Sequence, residues 1–338
     1  MKAIALAATQ AAVRPGLVLC HNVFDPAQPR AVLFRKGHRL RESDAGQLRI
    51  LGDTELHLIE LGPEDVGEDE AGQRLAVTVS GAGTRVGGSA ESQVRIHAAA
   101  RGLLRVDPER LAKVNIQEGV TVWTLEDRTP VEQDQHIASA KVAPLAVHRS
   151  VVEAAEAAAR GAAVQVLPYL PCRLSVLVTE QLAGGARARF EAGLYRKSAW
   201  FDAPPPIVRY VGGADQSIVE AFQAAVLDEA QMVLVGGTAS TDPLDRAVTA
   251  LYSAGGEVLR RGVPAHPGST YWLGALHGVP VLGLASCGMF SKLTALDLLL
   301  PRFYAGESVT VEALLSLAVG GLIGRDRTHL FPRYDADR

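Results

Sequence analysis

The stretch Gln231–Gly256, QMVLVGGTASTDPLDRAVTALYSAGG, decides the reading of this chain. Met232-Val233-Leu234-Val235 is a short, continuous apolar run, which suits a strand covered on both faces of a sheet. Gly236-Gly237 follow at once, where the backbone can turn tightly and come close to a ligand. Thr238, Ser240 and Thr241 then supply hydroxyls. Asp242-Pro243 predicts a helix start, because Asp favours the N-cap and Pro the first helical position. Leu244, Ala247, Val248 and Leu251 share one helical face, and Gly255-Gly256 end it. A strand, a Gly-Gly-hydroxyl loop and a helix start together form an anion-binding arrangement, with free amides and the positive end of the helix dipole facing the ligand. The loop fits neither GxGxxG nor GxxxxGK[ST], so it is neither a dinucleotide fingerprint nor a Walker loop. On these residues alone, a plain strand-to-helix turn with a good cap is the competing reading.

The flanking sequence repeats the pattern. Leu174–Val178 is a buried-type strand running into Thr179-Glu180, and Ala183-Gly184-Gly185-Ala186 marks a loop before a helix. Ile207–Val211 is a further strand, and Ser217-Ile218-Val219-Glu220 reads as a capping box. Beyond Gly256, a strand begins at Val258-Leu259 and ends in a loop reaching Pro267-Gly268-Ser269, and Thr270–Leu276 predicts a helix. Val279–Leu284 is another buried strand, opening into Ala285-Ser286-Cys287-Gly288-Met289-Phe290-Ser291-Lys292 and a helix through Leu300. Such alternation predicts an α/β layer fold with a mainly parallel sheet. In such sheets ligands sit beyond the carboxyl ends of the strands. The loops at Thr179, Gly236 and Ser286, with a fourth at Pro267, therefore converge on one cleft.

The first half is less regular. Short strands at Ala31–Phe34, Glu55–Leu61, Leu103–Val106 and Val120–Leu125, with a helix capped by Asp107-Pro108, suggest an α+β module over residues 1–150. Residues 151–338 then form the α/β domain, with the Ala-rich helix Val151–Arg160 as a bridge. Five carboxylates fall within the seven positions from Glu64 to Glu70. They read as the acidic first turn of a helix through Leu75 and Val79, complementing its dipole, in preference to a metal site.

Composition narrows the function. The 338 residues are 48% hydrophobic and 21% charged, with a formal net charge of −3, which argues against nucleic acid as the main partner. Aromatic residues make up 5%, too few for a base-stacking platform. Cys20, Cys172 and Cys287 lie far apart without a CxxC pair, which suggests reduced thiols in a cytoplasmic protein. The apolar start from Ala3 to Ala8 is broken by Thr9-Gln10 and Arg14, so a secretory signal is not expected. No stretch is apolar for long enough to span a membrane.

Several motifs in order resemble a known family. Gly236-Gly237-Thr238, Asp242 and Asp245, Gly262-Val263-Pro264 with Pro267-Gly268, and Gly278-Val279-Pro280-Val281-Leu282-Gly283-Leu284 are similar to the molybdopterin-binding domain. That domain is shared by molybdopterin adenylyltransferases and molybdopterin molybdotransferases. The resemblance covers roughly residues 172–325. Asp65–Ala71 and Ala318-Val319-Gly320-Gly321 also resemble two-part molybdopterin-binding proteins, extending the likeness over most of the chain. It implies a three-layer domain whose Gly236–Asp242 loop holds the phosphate of molybdopterin, or the diphosphate of its adenylylated form. Asp242 or Asp245 would orient Mg²⁺ or the reacting group. Thr179, Thr238, Ser240, Thr241, Pro267, Gly268, Ser269, Ser286 and Lys292 complete the expected binding set. Oxygen ligands from one or two carboxylates plus phosphate are the usual way to hold Mg²⁺, and Lys292 would add a point charge.

The resemblance implies a role in molybdenum cofactor synthesis, insertion or modification, and usually an oligomeric protein. A catalytic version would transfer molybdate or a nucleotidyl group. Ala239, and Ala285-Ser286-Cys287-Gly288, differ from the family loops and favour a non-enzymatic carrier that hands cofactor to a molybdoenzyme. A nucleotide pyrophosphatase on the same domain is the third reading. Asp245 as a helix-dipole partner, Cys287 as a packing residue and Lys292 as a surface charge are the plain alternatives at those positions.

Overall fold

The computed structural model describes residues 1–90, 93–212, 215–238, 240–290 and 293–334. The chain forms two compact units. The first comprises Met1–Ala99, Val106–Leu125 and Asp134–Gln165; the second comprises Ala100–Arg105, Glu126–Gln133 and Val166–Arg338. Where the sequence suggests one boundary near Ser150, the units thus interleave along the chain.

The second unit is built on a six-stranded sheet. Its strands are β1 (Leu174–Val178), β2 (Ile207–Tyr210), β3 (Met232–Gly236), β4 (Glu257–Arg261), β5 (Trp272–Leu276) and β6 (Val279–Leu284). They lie in the order β2-β1-β3-β6-β5-β4. β2, β1, β3 and β6 are mutually parallel, and β6, β5 and β4 are antiparallel. The sheet is therefore mixed.

Its longer helices are α1 (Gly184–Trp200), α2 (Asp215–Leu227), α3 (Arg246–Ser253) and α4 (Ala295–Tyr304), and Ser286–Phe290, expected as a loop, and Val311–Leu315 are short helices. Alternating side chains on the strands serve opposite faces. Val176, Val178, Leu234, Leu282 and Leu284 share a core with Phe190 and Leu194 of α1 and Leu299 and Leu300 of α4. Leu177, Val233, Val235 and Val281 share another with Ile218 and Phe222 of α2 and Val248 and Leu251 of α3. Because both faces are covered, β1 and β3 are apolar at nearly every position rather than alternating. Each fully buried Val or Leu contributes roughly 1.5–3 kcal/mol.

Three local expectations change. Thr270–Leu276, expected as a helix, contains strand β5. His277 and Gly278 both have positive φ, 49° and 83°, and turn the chain tightly from β5 into β6. Gly283 then takes the Trp272 indole where its own side chain would be; an added Cβ would lie 2.1 Å from the ring. Helix α3 starts at Arg246, later than the expected Pro243. Helix α2 starts at Asp215, so Ser217 lies within its first turn and does not cap it.

The first unit contains several small sheets. Lys2–Ala7, Glu55–Glu60 and Val18–Leu19 form an antiparallel group, and Val120–Thr124, His136–Val142, Gln93–Ala98 and Thr84–Ala90 form a second. Of the acidic stretch, Asp65–Gly67 is a strand and Glu68–Val79 is the helix, with Glu68, Asp69 and Glu70 in its first turn. Among the described residues, no helix is long and apolar enough to cross a membrane.

Candidate functional site

The parallel strands bring the expected loops to one edge and hydrogen bonds tie them together. At the end of β1, the Thr179 amide donates to the Gly236 carbonyl at 3.0 Å. The Thr179 hydroxyl reaches the Gly236 and Gly237 carbonyls at 3.0 and 3.2 Å. The Gly237 and Thr238 amides both donate to the Leu284 carbonyl at the end of β6, at 3.1 and 3.2 Å, and the Ser240 amide donates to Thr270 at 3.1 Å. Four chain segments are thus fastened to each other through their main chains.

This fastening alters the role of the amides. The N–H groups of Gly237, Thr238 and Ser240, expected to face a phosphate, are committed to carbonyls of the protein. The cause is the register of β3 beside β6: β6 runs parallel to β3, with Gly236 opposite Leu284, and the Leu284 carbonyl remains available just past the last rung.

The glycines are also covered. Gly237 has φ +84°, a conformation that favours glycine. A Cβ there would meet Glu180 Cγ at 2.9 Å, and one on Gly236 would meet the Met289 thioether at 2.7 Å. Two flexible side chains therefore occupy the approach to the glycine pair. The Glu180 carboxylate is held there by the Ser286 hydroxyl, which donates to its Oε2 at 2.6 Å.

Thr238 faces inward. It is 2% exposed. Its hydroxyl donates to Asp245 Oδ1 at 2.6 Å and accepts from the Trp272 indole N–H at 3.1 Å. Asp245 is the N-cap of α3, accepting from the amides of Ala247 and Val248 at 2.9 and 3.4 Å. Asp242, assigned that cap by the sequence, instead accepts from the Leu244 amide two residues on at 2.8 Å, an Asx turn. It is exposed, as is Thr241, while Ser240 is half-buried.

Pro267 to Ser269 pack against the start of α4. The Ala295 amide donates to the Pro267 carbonyl at 2.9 Å, and the Val263 amide to Ser269 at 3.2 Å. Gly268 has φ +123°, and a Cβ there would lie 2.6 Å from that of Ala295. The His266–Pro267 peptide is cis. Lys292 and Ala239 lie outside the described residues.

Two charged pairs nearby escaped the sequence reading. Arg246 Nε donates to Asp215 Oδ1 at 2.6 Å, joining the starts of α3 and α2. Lys197 of α1 pairs with Asp297 of α4, whose carboxylate is fully buried and also accepts from the Thr294 amide at 2.9 Å. Thr294-Ala295-Leu296-Asp297 is a capping box, a signal readable from the sequence. Nothing in the sequence pairs Lys197 with it across 100 positions.

Chemically, the edge offers carboxylates (Glu180, Asp242, Asp215) and hydroxyls (Ser240, Thr241, Ser269) in place of a ring of free amides. Among the described residues, no three His, Cys, Asp or Glu side chains are grouped so as to hold a metal ion by themselves. Any cation held here would have to share its coordination with a ligand's oxygens.

No known family profile and no curated protein matches the chain. Among solved structures, it is similar to the molybdopterin biosynthesis Mog protein from Mycobacterium ulcerans. There the identity is 15%, over 40% of this chain and 97% of the other, with a TM-score of 0.31. It is also similar to the molybdopterin biosynthesis MoeA protein from Pyrococcus horikosii. In that case the identity is 12%, over 93% of this chain and 75% of the other, with a TM-score of 0.30.

Proposed function

We propose that the second unit binds a phosphorylated pterin, molybdopterin or its adenylylated or molybdenum-loaded form, and serves molybdenum cofactor biosynthesis or modification. The observation that carries this reading is the fastening of the Thr179 and Gly236–Ser240 loops and the short helix beginning at Ser286 at the carboxyl edge of parallel strands, where α/β sheets hold ligands. The ordered motifs from Gly236 to Leu284 supply the ligand class. With the Gly237, Thr238 and Ser240 amides spent on carbonyls of the protein, the phosphate would be held by side chains along the loops instead of by the Gly236–Gly237 main chain. Ser240, Thr241 and Ser269 supply hydroxyl donors along the loops. A hard cation such as Mg²⁺ fits the oxygen chemistry of Glu180 and Asp242, and it would neutralise phosphate charge. The three-layer arrangement, the N-terminal module and oligomer formation belong to the same proposal.

A carrier that hands cofactor to a molybdoenzyme is favoured over a transferase by one observation. Thr238 and Asp245 are committed to capping α3 and to Trp272, which leaves Asp245 a structural role. The test is purification followed by fluorescence of oxidised pterin, with and without ATP and molybdate. Bound pterin without turnover supports the carrier, and AMP or pyrophosphate release supports the transferase. Absence of pterin binding overturns both.

A further inference from the structure

The second unit has another opening, at the end of the sheet opposite the Thr179 and Gly236 loops. A cavity of about 540 Å³ lies against the amino ends of β1, β3 and β6, where Cys172, Gln231 and Pro280 line it. At about 3.3 Å per residue, the five residues of β1 put the two ends roughly 16 Å apart. Of the apolar lining, Cys172 and Phe303 are buried, whereas Leu170 and Leu259 are large and exposed. Removing such surface from water favours an apolar guest. Among the described residues that line the cavity, the charged side chains are Glu307 and Glu312. Glu307 accepts from Arg105 Nη1 at 2.5 Å and from Arg128 Nε at 3.3 Å, so its charge is cancelled within the protein. Glu312 differs. Its own amide, then the Thr310 hydroxyl, hold its carboxyl below the usual carboxylate range, and no cationic group takes part in that hold. An ammonium group arriving here meets a complementary charge, and a carboxylate or phosphate meets a like one.

We infer that this cavity is a second binding site, for a small amphipathic amine: the apolar body lies among Leu170, Leu259 and Phe303, and the ammonium group pairs with the Glu312 carboxylate. A cavity of this size takes one small molecule. Its ligand is opposite in charge to the phosphorylated one proposed for the carboxyl edge, and the inference stands independently of that reading. Cys172 makes the site observable. Burial pushes its thiol pKa up, so alkylation is slow, and a guest in the cavity slows it further. Cys20 belongs to the first unit and is half-buried, so its alkylation is an internal control.

The experiment titrates octylammonium, octanol and octanoate into the full chain by calorimetry and follows iodoacetamide labelling of Cys172 and Cys20 by peptide mass spectrometry. Octylammonium is expected to bind about two- to fivefold more tightly than octanol, the effect of one exposed ion pair, and octanoate more weakly than either. Affinity should rise about two- to fourfold for each CH₂ added between butylammonium and octylammonium. Bound amine should slow labelling of Cys172 and leave Cys20 unchanged. Glu312→Gln, at an exposed position, should bind octylammonium and octanol equally. Leu259→Asp, also at an exposed position, should weaken all three ligands, with circular dichroism melts matching wild type. Octanoate binding as tightly as octylammonium, or Glu312→Gln retaining the preference, overturns the inference. So does an absence of binding, or equal slowing at Cys172 and Cys20. The pterin reading is tested separately and survives each of these results.

Discussion

The Thr238 hydroxyl donates to Asp245 Oδ1 at 2.6 Å, and this bond joins the phosphate-loop candidate to the cap of the helix behind it. With the Trp272 indole donating to the same hydroxyl at 3.1 Å, the loop, α3 and β5 share one buried node. Thr238→Val leaves the indole N–H without an acceptor and should cost about 1–3 kcal/mol. Asp245→Ala removes the cap and the Thr238 acceptor, at about 1–2 kcal/mol. Urea unfolding of both variants and of the double variant checks this. The double loss is expected to be smaller than the sum, because the residues are in contact.

Gly283→Ala should be among the most damaging single-methyl additions in the second unit. The new Cβ would sit 2.1 Å from Trp272 Nε1, inside the indole. Overpacking of this kind costs about 1–3 kcal/mol, and here it also pulls the indole away from Thr238. The expected signature is a fall in melting temperature together with a shift in tryptophan fluorescence.

Lys197 and Asp297 form a buried pair whose carboxylate is fully enclosed. Lys197→Met strands that carboxylate and should destabilise by about 3 kcal/mol. Adding Asp297→Asn keeps an acceptor for Thr294 and removes the stranded charge. The double variant should therefore be more stable than Lys197→Met alone, by chemical denaturation. A double variant less stable than the single one would show that the charge is not the source of the loss.

His97 carries a testable pH dependence. Its Nδ1 is buried without a hydrogen-bond partner among the described residues. Burial first, then the nearby Arg85, His136 and Arg95, hold its pKa below the ordinary 6.5. The unfolded chain takes up the proton near 6.5 and the folded chain only at lower pH. The stability linked to His97 is thus full above that value and is lost as pH falls through it toward the folded midpoint. An NMR titration should place the His97 midpoint below 6.5, and His97→Asn should flatten the loss of stability as pH falls below 6.5.

Much of the second unit could be read from the chain because its strands are buried on both faces. Leu174–Val178 and Met232–Gly236 announce themselves by unbroken apolar character, and the small residues after them mark the loops. The cap was harder. Asp242 and Asp245 are both good cap residues, and which one serves depends on Thr238 and Trp272, whose approach is tertiary. The β5 strand was hidden because an apolar run of that length suits helix or strand alike, and the His277-Gly278 turn decides it. Glu180 gave no signal, since only the folded chain lays it over Gly237. The commitment of the loop amides to Leu284 was equally invisible, because it depends on strand order.

That single carbonyl, shared by two successive amides, has a consequence for how the protein can change over time. The backbone around Gly237 is held by the edge of the sheet and by the hydroxyls of Thr179 and Thr238, so its shape does not depend on the outward side chains at 180, 240, 241 and 269. Substitutions at positions 180, 240, 241 and 269 can then retune which molecule is admitted while the frame beneath them stays put. Ligand preference could then shift by the exchange of a few outward groups while every strand stays where it is.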